Sequence, residues 1–202
     1  LISPFNIAVT VKVPQMSLSP IKLEILGIML LNEKPMKIAE VAKEAQKEPK
    51  MVRMHILGLI RMQYVVAPEK GQYKITEKGR QALGVPETNK EKAEAILAYE
   101  PHDKAFHFYC DVGKPLSLHA HNLRDFANKL EKADLVSIEF HTKRGDFEVW
   151  FKGLGDEELA KKIALLNQRN ITGEELRRIL HEIVMQRYIA LAALAGQPVY
   201  AE

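Results

Sequence analysis

"QYVVAPEKGQYKITEKGRQAL", residues Gln63 to Leu83, holds two β-type runs around a charged Glu-Lys-Gly turn, with a helical pattern following at once. Tyr64–Ala67 and Gln72–Ile75 are rich in β-branched and aromatic residues, and Pro68–Gly71 in turn formers, so a hairpin is expected. Thr76 then caps a helix over "TEKGRQAL". Upstream, Ser19-Pro20 opens a helix, serine as cap and proline at the first helical position. "IKLEILGIMLLN" continues it with Ile21, Ile25, Ile28 and Met29 on one face. "KPMKIAEVAKEAQ" predicts a second helix that buries Ile38, Val41, Ala42 and Ala45. "EPKMVRMHILGLIRM" predicts a third, with Val52, Ile56, Leu59 and Ile60 inward.

Three helices, a hairpin and a closing helix follow the plan of a winged helix. "IAEVAKEAQKEPKMVRMHILGLIRMQYVVAPEKGQYKITEKGRQAL" resembles the core of archaeal and bacterial winged helix-turn-helix transcription regulators, over about Ser19 to Leu83. The resemblance implies that the third helix enters the major groove of double-stranded DNA while the hairpin reaches phosphates or the minor groove. The outward residues Lys50, Met51, Arg53, Met54 and Leu57 would then face the bases, the cations pairing with guanine edges or phosphates and methionine touching thymine methyls. Lys47, Arg61, Lys70 and Lys74 would neutralise phosphates, and Tyr73 would hydrogen-bond one. Two departures stand out. Gln46 occupies the turn position where glycine is frequent in these regulators, and the exposed face is unusually apolar for a groove reader. Such a face also suits the alternative, a protein-docking adaptor of the transcription machinery.

Charge supports the first reading. The 202 residues are 47% hydrophobic and 27% charged, an ordinary globular composition. Through Glu87 there are 13 Lys/Arg against 8 Asp/Glu, and from Thr88 onward 16 against 18, so only the first part is basic. The single cysteine, Cys110, excludes an internal disulfide and fits a reducing interior. No apolar run reaches the roughly 20 residues that span a bilayer, and no secretion signal opens the chain, so a cytoplasmic protein with no membrane contact is expected. "FNIAVTVKVP" (Phe5–Pro14) alternates as a strand would, and a "MSLSPIK" start lies inside the chain at Met16; residues 1–18 are set apart as an N-terminal extension without assigned function.

"GVPETNKEK" (Gly84–Lys92) marks a boundary, giving a winged helix domain over 19–87 and an α+β domain over 88–202. The second unit reads as a helix at Lys90–Tyr99, a strand at "AFHFYCDVG" and an amphipathic helix at "NLRDFANKLEKA" burying Leu123, Phe126 and Leu130. Strands at "LVSIEFHT" and "FEVWF" then follow, joined by a Lys143-Arg144-Gly145 turn. The helices "GDEELAKKIALLNQ" and "TGEELRRILHEIVMQRYIALAALA" finish it, the last with a capping box from Thr172 to Glu175. The expected architecture is α+β, with a small antiparallel sheet and a long terminal helix. Asn122–Ile163 resembles an uncharacterised prokaryotic domain family with the pattern "SIEFH", "RGDFE-W", "GDEELA". Ser137, Glu139, Phe140, His141, Arg144, Gly145, Asp146, Phe147, Trp150, Gly155 and Asp156 carry it; it implies no settled activity.

As a strand, this segment puts Glu139 and His141 on one face, with Arg144 and Asp146 across the turn. That cluster, with Trp150, fits an anion-binding or acid-base site, or an ion-pair network holding the hairpin. Six of the seven histidines lie in this half. In "LHAH", His119 and His121 share a face if extended, with Cys110 not far before them, but no paired metal-ligand spacing is present and no metal or cofactor is assigned. Cys110 has no local activator as a nucleophile. The terminal helix places Leu176, Ile179, Leu180, Ile183 and Val184 on one stripe and becomes apolar nearly all round past Tyr188. It is expected either to fold back into its own domain or to pair two copies on a symmetric operator.

The sequence thus points to an archaeal-type, DNA-binding transcription regulator, a homodimer whose second domain dimerises, senses a small-molecule effector or recruits a transcription-factor partner. The rivals are the docking adaptor and, ranked last, an enzyme built on His141, Glu139, Arg144 and Asp146; no catalytic residue is assigned.

Overall fold

The computed structural model describes residues 18–198; the Phe5–Pro14 strand expected from sequence lies outside them. Helix α1 (Pro20–Asn32) starts on proline and ends at Glu33 in the left-handed region, φ 52°. A two-residue strand β1 (Met36–Lys37) leads into α2 (Ile38–Ala45), and α3 (Pro49–Arg61) again begins on proline. Gln46, between α2 and α3, has φ 52°. The chain therefore holds there a conformation that glycine adopts at least cost.

The hairpin β2 (Val65–Glu69) and β3 (Gln72–Ile75) turns on Lys70 and Gly71, with β1 pairing the other edge of β3 to give an antiparallel sheet of order β1-β3-β2. Pro68 lies within β2, an edge strand, where its missing N–H breaks no ladder. Helix α4 (Glu77–Ala82) is capped by Thr76, whose Oγ1 accepts from the Gly79 N–H at 3.2 Å and donates to the Gln63 carbonyl at 2.7 Å. Val41, Val52, Ile56, Leu59, Val65 and Ile75 close around α1 as one core. In α1 burial runs unbroken from Ile25 to Leu30, more than one face. The reason is that its far side packs on the second unit, so closely that a Cβ on Gly27 would lie 3.2 Å from Leu165 Cδ2.

The second unit comprises α5 (Lys90–Ile96), β4 (Phe106–Asp111), β5 (Lys114–Ala120), α6 (Leu123–Lys132), α7 (Leu135–Arg144), α8 (Asp146–Gly153), α9 (Glu157–Asn167) and α10 (Gly173–Ala195). The structure is mixed helix and strand with two small antiparallel sheets and a long C-terminal helix, as expected at that level. No helix among the described residues is long and apolar enough to cross a membrane.

Three expectations are corrected here. "LVSIEFHT" and "FEVWF" are the helices α7 and α8, and Gly145, φ 73°, is the left-handed cap between them rather than a hairpin turn. Asp134 caps α7 by accepting from the Val136 N–H at 2.9 Å, and Phe147 and Phe151, one helical turn apart, are both fully buried. The strand that pairs with β4 is β5, with His107 opposite His119. Finally, Thr172 makes no side-chain cap on α10. Glu139 reaches across from α7 instead, its Oε1 accepting from the Gly173 N–H at 3.0 Å.

A closed set of charges joins the two units. Arg187 on α10 forks onto Asp156, with Nε–Oδ2 and Nη2–Oδ1 both 2.9 Å, and gives Nη1 to Glu158 at 2.8 Å. Glu158 also accepts from Arg80 of α4 at 2.5 Å and Lys162 at 3.0 Å, while Lys162 reaches Glu33 at the end of α1. Asp156 is 0% and Lys162 1% exposed. Three carboxylates thus meet three cations, and Asp156 spends a further lone pair capping α9 at the Leu159 N–H.

Removing one member strands another in a dry site, so Arg187→Ala should lower unfolding free energy by about 3–5 kcal/mol in urea titration. Burial pushes the Glu158 carboxyl up, but Lys162, Arg187 and Arg80 outweigh it and leave it at about 2 against an ordinary 4.5. A lowered folded-state value stabilises fully above the unfolded value and fades as pH falls towards the folded one. Tm should therefore hold down to about pH 4.5 and then drop towards about pH 2, and Glu158→Gln should lower the neutral-pH Tm while flattening that acid limb. In the first unit, a Cβ on Gly79 would strike the Tyr64 carbonyl oxygen and lie 2.7 Å from Ile75 Cγ1. Gly79→Ala should cost about 1–3 kcal/mol by overpacking, read in the same titration.

Candidate nucleic-acid interface and second-unit cleft

Helix α3 buries Val52, Ile56 and Leu59 against the first core, which fixes its opposite side outward. Lys50, Arg53 and Arg61 are exposed on that side, with Met51, Met54 and Leu57 among them at 43%, 63% and 42% exposure. Lys47 lies exposed in the α2–α3 turn and Lys70 at the hairpin tip. Lys74, half-buried, stands opposite Val66 on β2. Among the described residues, none of these six cations has an ion-pair partner. Tyr73 alternates with Lys74 along β3 and packs on the first core, so it does not share a face with the lysine.

The second candidate cluster is only partly assembled. His141, Arg144 and Asp146 line a cleft of about 330 Å³ together with Phe106, Tyr109 and Phe140. Glu139, two residues along a helix from His141, points about 200° away and caps α10. The sequence expectation that Glu139 and His141 share a face fails because the segment is helical. Trp150 is turned into the core, stacked on Phe126 at 5.2 Å between ring centroids, with its Nε1–H donated to the Lys104 carbonyl at 3.0 Å.

His141 is 3% exposed, and both ring nitrogens are committed. Nε2 accepts from the Tyr109 N–H at 2.8 Å, so the proton sits on Nδ1 and is donated to Asp146 Oδ2, also at 2.8 Å. Burial lowers its proton affinity, and the opposing pull of Asp146 does not restore it. The ring is a neutral brace tying β4 to the α7–α8 junction, and taking up a proton at Nε2 would break the Tyr109 bond. Arg144 brings one cation to the cleft, bonded by Nε to Asp146 at 3.1 Å and lying 5.0 Å over the Phe140 ring. Asp111 on the rim adds a second carboxylate. That balance disfavours an anionic ligand.

The charge node between the units escaped sequence reading, although two signals were present: Glu158 and Lys162 one helical turn apart, and Arg187 in line with the apolar stripe of the final helix.

No curated protein and no solved structure matches the chain. Residues 80–185 match the family described as "Family of unknown function (DUF5752)", an interval that starts within α4, contains all of α5–α9 and ends inside α10. With just over half of the chain covered, the protein belongs to the DUF5752 family of unknown function.

Proposed function

We propose that the protein is a DNA-binding transcription regulator whose first unit is a winged helix with α3 as its recognition helix and the β2–β3 hairpin as its wing. The observation that carries this reading is the contrast in cation pairing. The buried cations of the second unit are locked to carboxylates, whereas Lys47, Lys50, Arg53, Arg61, Lys70 and Lys74 have no ion pair among the described residues and lie along α3 and the hairpin. Unpaired cations on an exposed helix face neutralise phosphates with release of counterions, so the affinity is steeply salt-dependent. Element order supports the same reading, and so does the left-handed backbone at Gln46, where the turn of such motifs favours glycine.

The second unit then serves for dimerisation, effector sensing or partner recruitment. The exposed Ile189 and Leu194 on α10 offer an apolar strip for pairing two copies. Exposure of Met51, Met54 and Leu57 favours a second reading, docking of α3 on a protein partner of the transcription machinery.

Selection of bound genomic fragments by the full chain, followed by fluorescence anisotropy on the enriched duplex, separates the two. DNA reading predicts a shared motif that disappears with Lys50→Ala/Arg53→Ala, and a salt slope that falls by about 1 with Lys70→Ala. Weak, sequence-blind binding, unchanged by the α3 substitutions, would instead favour docking.

A further inference from the structure

Four histidines gather at the open end of the second unit: His102 on the turn before β4, His107 on β4, and His119 and His121 at the end of β5. One donor atom from each of His102, His119 and His121 lies within 4.8 Å of the other two. We propose that these three imidazoles form a binding site for a divalent transition-metal ion of the zinc class.

Backbone geometry creates the juxtaposition. Ala120 is fully buried, so its neighbours His119 and His121 project together from the opposite face. The turn carrying His102 is clasped to that strand end by the Glu100 N–H, which donates to the His121 carbonyl at 2.7 Å. Outer contacts orient the rings. His121 Nδ1 faces the Glu100 carbonyl at 2.8 Å and must carry the proton, which leaves the Nε2 lone pair free. Tyr99 stacks on the same ring at 4.5 Å and 6°. A ligating histidine held by its other nitrogen on a carbonyl is the usual arrangement at metal centres. His107 donates Nε2–H to the His102 carbonyl at 2.8 Å and so positions the loop.

The donor chemistry fits a borderline ion. Three neutral nitrogens suit zinc, nickel or copper rather than magnesium or calcium, which take oxygen ligands. Tetrahedral zinc lies about 2.0–2.1 Å from each ligand nitrogen, so donors up to 4.8 Å apart close in as the rings swing inward. His102 is exposed and free to do so. Three protein ligands leave a coordination position for water or an exchangeable ligand. Cys110 is not part of the group, its Sγ lying 3.6 Å from the Lys114 carbonyl at the hairpin turn.

The test is isothermal titration of the full, chelator-stripped chain with zinc sulfate, and separately with nickel chloride, alongside thermal melts with and without zinc. One ion per chain is expected, with a zinc-induced rise in Tm, Kd at least tenfold weaker in His102→Ala and in His119→Ala, and no change in Cys110→Ser. His102→Ala carries the decision, because an exposed turn residue can be truncated without unfolding the sheet; circular dichroism checks this. No heat and no Tm rise for the wild-type chain, a Kd within tenfold of it in His102→Ala, or loss of binding in Cys110→Ser would each overturn the assignment.

Discussion

Dehydrating a carboxylate or an ammonium costs several kcal/mol, and the protein meets that cost at one place by complete pairing. Glu33, Asp156 and Glu158 face Arg80, Lys162 and Arg187 with no charge left over. These side chains come from the end of α1, from α4, from α9 and the residue before it, and from α10. The node works only when all of those elements are docked together. It therefore sets where the first unit sits on the second, and hence which face of α3 is left outward. Gly27 adds the steric half of that constraint, letting α1 close on Leu165.

The node also changes how the pattern "GDEELA" should be understood. Its Asp156 and Glu158 have the residue types of a catalytic carboxylate pair, yet each is occupied: Asp156 by the Arg187 fork and the α9 cap, Glu158 by three cations. His141 follows the same logic, with one nitrogen accepting a backbone N–H and the other donating to Asp146. Residue types that carry chemistry are here consumed by structure. Groups with unspent capacity lie elsewhere, among them the cations of α3 and the hairpin and the nitrogens of His102, His119 and His121.

Much of the first unit was legible because its signals are local. Proline at the head of α1 and α3, the Thr76 cap, and the hairpin around Gly71 each act within a few residues, and of the expected inward faces of α2 and α3 all but the half-buried Ile38 and Ile60 are buried. Leu135–Thr142 and Phe147–Phe151 read as strands in the sequence because short runs mixing aromatic, β-branched and charged residues satisfy both periods. Gly145 fits either a hairpin turn or a left-handed helix cap. Packing decided between them: Phe147 and Phe151, a helical turn apart, both meet Phe126.

By itself, then, the sequence determined the starts of α1, α3 and α4, the hairpin between them, the basic character of the first unit and the lack of a second cysteine for an internal disulfide. The tertiary structure decided which polar residues are spent and which remain available. Arg187 finds Asp156 across 31 positions and Lys162 finds Glu33 across 129, while His102 meets His119 only because a turn folds back on β5. Such pairings depend on how elements dock, and a charge or an imidazole carries no local mark of the partner it will meet.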